Sequence, residues 1–71
     1  MISTFEPKLR DKAIETTCSN LVMSGDLLPE AVGRYMACIV RLSDTMLAQE
    51  LMTSQKLLED YYAKVVKAKR N

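Results

Sequence analysis

The sequence contains no histidine and no tryptophan, and only two glycines, two prolines and two cysteines among its 71 residues. The absence of histidine removes the most common acid–base group of enzymes and the most common protein ligand of zinc. Two glycines are too few for a glycine-rich phosphate loop. The cysteines, Cys18 and Cys38, form no CxxC pair, and we interpret them as small core residues rather than a redox pair because each lies among apolar neighbours. We therefore expect no enzymatic activity, no cofactor and no metal site.

Long apolar runs and an excess of one charge are also missing. The longest apolar run covers residues 35–40, whereas a membrane-spanning helix needs roughly 20 residues. The first residues show no basic segment followed by an apolar one, so we expect no signal peptide and a cytoplasmic location. Ten basic and nine acidic residues give a net charge of +1. This balance does not predict strong non-specific binding to nucleic acid or to an anionic membrane.

The apolar fraction is large for so short a chain, at 48% of the residues. A chain of this length buries only about 60% of the surface that its unfolded form exposes, so its own core is marginal. Small proteins without disulfides or metals often gain stability by oligomerisation. Self-association is therefore the leading prediction, and a monomeric three-helix bundle is the alternative.

The spacing of apolar residues predicts an all-α fold within a single domain over residues 1–71. Apolar side chains recur every three or four positions in the first third of the chain, which predicts a helix over about residues 5–24, with polar residues such as Asn20 on its outer side. Gly25 is placed to end this helix in a left-handed conformation, before a turn at 25–28.

The periodicity then continues in a second, longer helix over about residues 27–69. The seven-residue repeat that runs through Met46 shifts by one position beyond it, which indicates a rotated face or a kink. We expect the helix to continue, because residues 43–45 include no glycine or proline. In the alternative, Ser43 or Asp44 caps a third helix after a break near 43–45.

The predicted fold is thus a helical hairpin with a short helix 1 and a long helix 2, forming a homo-oligomeric helical bundle. A first helix of about 27 Å can cover only part of a second helix of about 60 Å. Residues from about Leu47 onward then lack a partner within the chain, and such a stripe is typical of a binding surface. The predicted oligomer interface consists of Tyr35, Met36, Ile39, Leu42, Met46, Leu47, Leu51, Leu58, Tyr61 and Val65.

Two basic clusters allow a second interpretation, in which a helical-hairpin dimer binds nucleic acid. One cluster begins the first helix and the other ends the chain, but acidic residues interrupt both, and positive charge is expected at a helix C-terminus in any case. A helix-turn-helix over 9–24 and 30–42 is disfavoured, because its recognition helix would present an apolar run to the bases. The possible nucleic-acid contacts are Lys8, Arg10, Lys12, Lys64, Lys67, Lys69 and Arg70.

These patterns predict a non-catalytic regulatory or adaptor protein that self-associates and binds another macromolecule, with a protein as the expected partner. A nucleic-acid-binding helical-hairpin dimer that uses its basic ends is the alternative. No stretch of the sequence matches a family motif. Small helical hairpins are common among accessory regulators of bacteria, phages and plasmids, but this analogy of size and architecture assigns no function.

Overall fold

The structure, a computed structural model, describes residues 6–69. Within that range the regular structure consists of α1 (Pro7–Ser24), a 3₁₀ turn (Pro29–Ala31), α2 (Val32–Ile39) and α3 (Asp44–Lys69). No strand occurs between residues 6 and 69, so the all-α prediction is confirmed for the described part of the chain.

The continuous second helix of the prediction is wrong, because the chain leaves the helical conformation between Ile39 and Asp44. The N–H of Leu42 donates to the carbonyl of Ile39 at 3.1 Å, a tight turn in place of the α-helical bond. Ser43 then caps α3, since its Oγ accepts a hydrogen bond from the N–H of Met46 at 3.3 Å. A serine cap starts a new helix without glycine or proline, as in the alternative prediction.

The end of α1 matches the prediction. Gly25 has a φ of 85°, and its N–H donates to the carbonyl of Val22 at 3.1 Å. The N–H of Asp26 donates to the carbonyl of Leu21 at 2.9 Å, which completes a Schellman motif. The motif satisfies carbonyls that the last turn of α1 would otherwise leave without partners.

Gly25→Ala is expected to lower the free energy of unfolding by about 1–2 kcal/mol, because a left-handed backbone is strained once a Cβ is present. The cost is conformational, since no atom lies within 4 Å of the position that this Cβ would occupy. Urea denaturation of the variant measures the change. Gly33→Ala is the matched control: Gly33 lies in α2, has equally open surroundings and has no positive φ. We expect it to be neutral or stabilising, and equal losses at both positions would contradict the assignment.

α1 and α3 lie side by side and run in the same direction. Arg10 of α1 pairs with Asp44 of α3, and Asn20 of α1 pairs with Ser54 of α3, with a sequence separation of 34 in both cases. A constant separation means that the two helices advance together, because antiparallel helices would give a constant sum of residue numbers. The register therefore places each residue of α1 level with the residue 34 positions later in α3.

α2 runs in the opposite direction and connects the far end of α1 to the start of α3. The hydroxyl of Tyr35 donates to Glu50 Oε1 at 2.7 Å, whereas Ile39, later in α2, borders one groove together with Met46, which is earlier in α3. The described residues thus form three helices in an up–down–up arrangement. The predicted two-helix hairpin is corrected accordingly, because the break after α2 lets the chain reverse direction a second time.

The apolar core among the described residues is small, and α1 contributes most of it. Leu47 of α3 is fully buried, and Ile39 of α2 is 2% exposed. The other buried members, all from α1, are Ala13, Ile14 and Cys18. Cys38 of α2, also predicted as a core residue, is exposed, so that prediction is wrong for Cys38 and confirmed for Cys18.

A buried polar pair joins α1 to the middle of α3. Asn20 is buried at 8% exposure, which corrects its predicted place on the outer side of the first helix. Its Nδ2 donates to Ser54 Oγ at 3.3 Å, and the Ser54 hydroxyl donates to the carbonyl of Leu51 at 2.7 Å. Because the short side chain of Ser54 is itself fully buried, α1 covers α3 at least as far as this residue.

Candidate interaction surface

α3 continues beyond the end of α1. The separation of 34 residues places Ser24, the last residue of α1, level with Leu58 of α3. The following residues, 59–69, therefore project about 16 Å past α1. We call residues 59–69 the α3 extension.

The apolar side of α3 remains apolar along the α3 extension, although α1 no longer covers it. Leu47 and Ser54 face α1 and are fully buried. Tyr61 follows them at the same seven-residue interval, yet it is 41% exposed, and its neighbour Tyr62 is 47% exposed. The two rings lie 6.0 Å apart, centroid to centroid. Val66 is 58% exposed, so the α3 extension presents a cluster of aromatic and aliphatic side chains to solvent.

Charged residues divide the α3 extension into an acidic start and a basic end. Glu59 and Asp60 occupy its first positions, and Lys64, Lys67 and Lys69 follow. All five are exposed. The last two lie in the final turn of α3, where positive charge complements the helix dipole. The projecting segment is therefore amphipathic, and its charge changes from negative to positive along the helix axis.

The ten residues of the predicted oligomer interface divide into four groups. Ile39 and Leu47 lie in the core of the chain itself, so these two residues are removed from the predicted interface and the other eight remain. The reason is the break at residues 40–43, which lets α1 pack on a part of α3 that a continuous hairpin would have left open. The remaining residues pack against the core with some surface exposed (Tyr35, Met36, Leu42, Leu51), lie exposed near the start of α3 (Met46), or belong to the α3 extension and its base (Leu58, Tyr61, Val65).

Arg10, one of the predicted nucleic-acid contacts, is engaged within the chain. Its Nη1 donates to Asp44 Oδ1 at 2.6 Å, and its Nη2 donates to the carbonyl oxygens of Val40, at 3.0 Å, and Leu42. The guanidinium thus ties α1 to the end of α2 and to the start of α3. Nucleic acid would have to compete with these three acceptors.

The other predicted basic contacts lie at two distant places. Lys8 and Lys12 are exposed at the start of α1, and the helix register places Lys12 level with Met46 of α3. Lys64 begins the basic end of the α3 extension, about 27 Å farther along the axis. One chain therefore presents no continuous basic face across its described residues. Arg70, the last predicted contact, lies outside the described residues.

Two apolar grooves flank α2. One, of about 340 Å³, lies between α1 and α2 and is bordered by Cys18, Val32 and Met36, and the other, of about 280 Å³, lies between α2 and α3 beside Tyr35. Burial raises the pKa of the Cys18 thiol, so it stays protonated and weakly nucleophilic near neutral pH. Burial, together with the hydrogen bond to Glu50, also raises the pKa of the Tyr35 hydroxyl.

Sites for a metal ion or a membrane span are not found among residues 6–69. No group of three or more acidic, cysteine or histidine side chains in this range could hold a metal ion. No described helix is both long and apolar enough to cross a membrane. The α3 extension is the candidate site that the geometry favours, because its apolar side chains are exposed beyond the end of α1. No protein family model, curated protein or solved structure matches this chain.

Proposed function

We propose that the chain is a non-catalytic regulatory or adaptor protein of the cytoplasm that self-associates and binds another macromolecule through the α3 extension. The proposal rests on one observation. α1 ends level with Leu58, and beyond that level the apolar side of α3 continues without cover from α1. Burying that side against a second protein removes apolar surface from water. Tyrosines suit such a surface, because they combine a large apolar ring with a polar hydroxyl.

Other exposed apolar residues lie at the base of the α3 extension. Met23, in the last turn of α1, is 50% exposed, and Leu28, just after the turn, is 62% exposed. The helix register places Met23 level with Leu57, two residues before the α3 extension begins. A partner that covers the α3 extension could therefore also cover the end of α1, which enlarges the buried apolar area.

The double variant Tyr61→Gln and Val65→Gln is expected to weaken self-association at least tenfold while leaving the helical content unchanged. A tenfold loss corresponds to about 1.4 kcal/mol, less than the burial of these two side chains is expected to contribute. Sedimentation equilibrium measures the association, and circular dichroism measures the helical content. Met52→Gln is the matched control, because Met52 is 67% exposed on α3 but lies outside the α3 extension.

Two results would contradict the proposal in different ways. A native chain that stays monomeric at every concentration would rule out self-association. A native oligomer that the double variant leaves intact would place the interface elsewhere. Affinity capture from a host lysate then tests the adaptor role, which requires a protein that the native chain retains and that the Tyr61→Gln, Val65→Gln variant loses.

Nucleic-acid binding is the second candidate function. The exposed Lys64, Lys67 and Lys69 lie on the same projecting segment as Tyr61 and Tyr62, and basic residues beside aromatic ones can contact phosphates and stack on bases. Titration with duplex DNA and with RNA at two salt concentrations tests this function, because phosphate contacts weaken as salt rises. The absence of a salt-dependent complex would rule it out.

A further inference from the structure

We propose that two copies of the chain associate by packing their α3 extensions side by side in opposite directions, about a two-fold axis near residue 63. The inference rests on the proposed self-association and specifies its geometry. It is carried by three features of the α3 extension: the spacing of its apolar residues, the place where α1 ends and the order of its charges.

The apolar spacing supplies matching layers for an antiparallel pair. Leu58, Tyr61, Val65 and Ala68 follow one another at intervals of three, four and three residues, which is the pattern of the core positions of a heptad. In two antiparallel helices centred on residue 63, Leu58 lies opposite the partner's Ala68, and Tyr61 lies opposite the partner's Val65. The two-fold axis repeats both layers, so the contact between the two helices has four layers. Each layer pairs a larger side chain with a smaller one.

The end of α1 limits how far the two copies can overlap. In the register centred on residue 63, the partner's Ala68 lies level with Leu58, where α1 ends, and a register with more overlap would place more of the partner's helix beside α1. If the partner's helix is instead shifted by one heptad away from α1, only the layers between Val65 and the partner's Ala68 remain. The register centred on residue 63 therefore keeps all four apolar layers, and Lys69 is the only described residue of the partner that passes the end of α1.

The charges distinguish the antiparallel pair from a parallel one. In a parallel pair, Lys64 and the partner's Lys69 would occupy the flanking positions that face each other across a coiled coil, and this repulsion would occur twice. In the antiparallel pair, Lys64 faces the partner's Lys64 only once, at the axis, and the acidic start of one α3 extension, at Glu59 and Asp60, lies beside the basic end of the other. The last turn of α1 contains no basic residue, so the partner's basic end also approaches the unneutralised negative end of the α1 dipole.

Disulfide cross-linking tests the geometry in the full-length chain with the exposed Cys38 replaced by serine. Leu58→Cys and Ala68→Cys are expected to form a mixed disulfide when the two variants are combined. Neither variant alone is expected to cross-link, because two identical positions lie about 15 Å apart along the axis of an antiparallel pair. Efficient cross-linking of each variant with itself would instead show a parallel pair and overturn the proposal.

Further measurements separate this inference from the proposed function. Circular dichroism checks that Leu58→Cys is folded, and the exposed pair Gln55→Cys and Lys69→Cys repeats the test without changing a half-buried residue. Sedimentation of the same samples reports association independently of cross-linking. A dimer in which neither mixture cross-links refutes the antiparallel geometry alone, whereas a monomer refutes both the geometry and the proposed self-association.

Discussion

Ile39→Asp is expected to abolish the helical fold of the chain. Ile39 is 2% exposed and packs with the few buried apolar residues of the described part, Leu47 among them. An unpaired carboxylate in such a place costs several kcal/mol, about 4 or more. A chain of this size has a free energy of unfolding of roughly 4–10 kcal/mol, so the substitution removes most or all of it. Circular dichroism and urea denaturation measure the loss.

The control for this prediction places the same charge on the surface. Met52→Asp changes a side chain that is 67% exposed on α3 and is expected to alter stability by less than about 0.5 kcal/mol. Because Ile39 lies in the core of a single chain, its replacement should destroy fold and association together. The Tyr61→Gln, Val65→Gln variant should destroy association alone. An Ile39→Asp variant that remained folded and monomeric would contradict this division between core and interface.

Arg10→Met is expected to lower the free energy of unfolding by about 2–3 kcal/mol. The guanidinium bonds to Asp44 and to the carbonyls of Val40 and Leu42, and both charged side chains of the pair are only about one quarter exposed, at 24% and 26%. Hydrogen bonds that involve a charged group contribute about 1.5–3 kcal/mol to stability when they are partly shielded from water. Methionine keeps an unbranched apolar stem and removes the charge, so the loss measures the polar contacts.

Two further variants test the Arg10 assignment. Arg10→Lys is expected to recover only part of the stability, because a lysine ammonium lacks the planar fork with which Arg10 reaches three acceptors. Arg34→Met is the matched control, since Arg34 is exposed on α2 and makes no ion pair among the described residues. Urea denaturation should give a clear loss for Arg10→Met and a negligible one for Arg34→Met. Equal values for the two would show that the Arg10 contacts contribute nothing specific.

The contacts that these variants remove are linked through the register of α1 and α3. Arg10 holds the short turn between α2 and α3 against α1, and this turn sets where α3 begins. The start of α3 determines the register with α1, which in turn determines that α3 projects beyond Leu58. The α3 extension, on which the proposed function depends, is therefore a consequence of contacts at the opposite end of the molecule.

Features that depend on neighbouring residues could be predicted from the sequence. The helical periodicity, the approximate range of α1 and the left-handed ending at Gly25 follow from preferences that act within about five positions of the chain. The apolar excess that predicts self-association is likewise a property of composition. A break near Ser43 could be predicted as an alternative, because a serine cap is also a local signal.

Tertiary packing selects which of these local signals prevail and which helix faces are covered. Serine capping and the Arg10 contacts favour the break over a continuous helix, and the pairing of Arg10 with Asp44 joins residues 34 positions apart. The parallel packing buries Leu47 and Asn20 and leaves Tyr61 exposed, although helical periodicity alone places Leu47 and Tyr61 on the same side of α3. Local preferences specify helices and their apolar sides, whereas the partner of each side depends on how distant segments pack together.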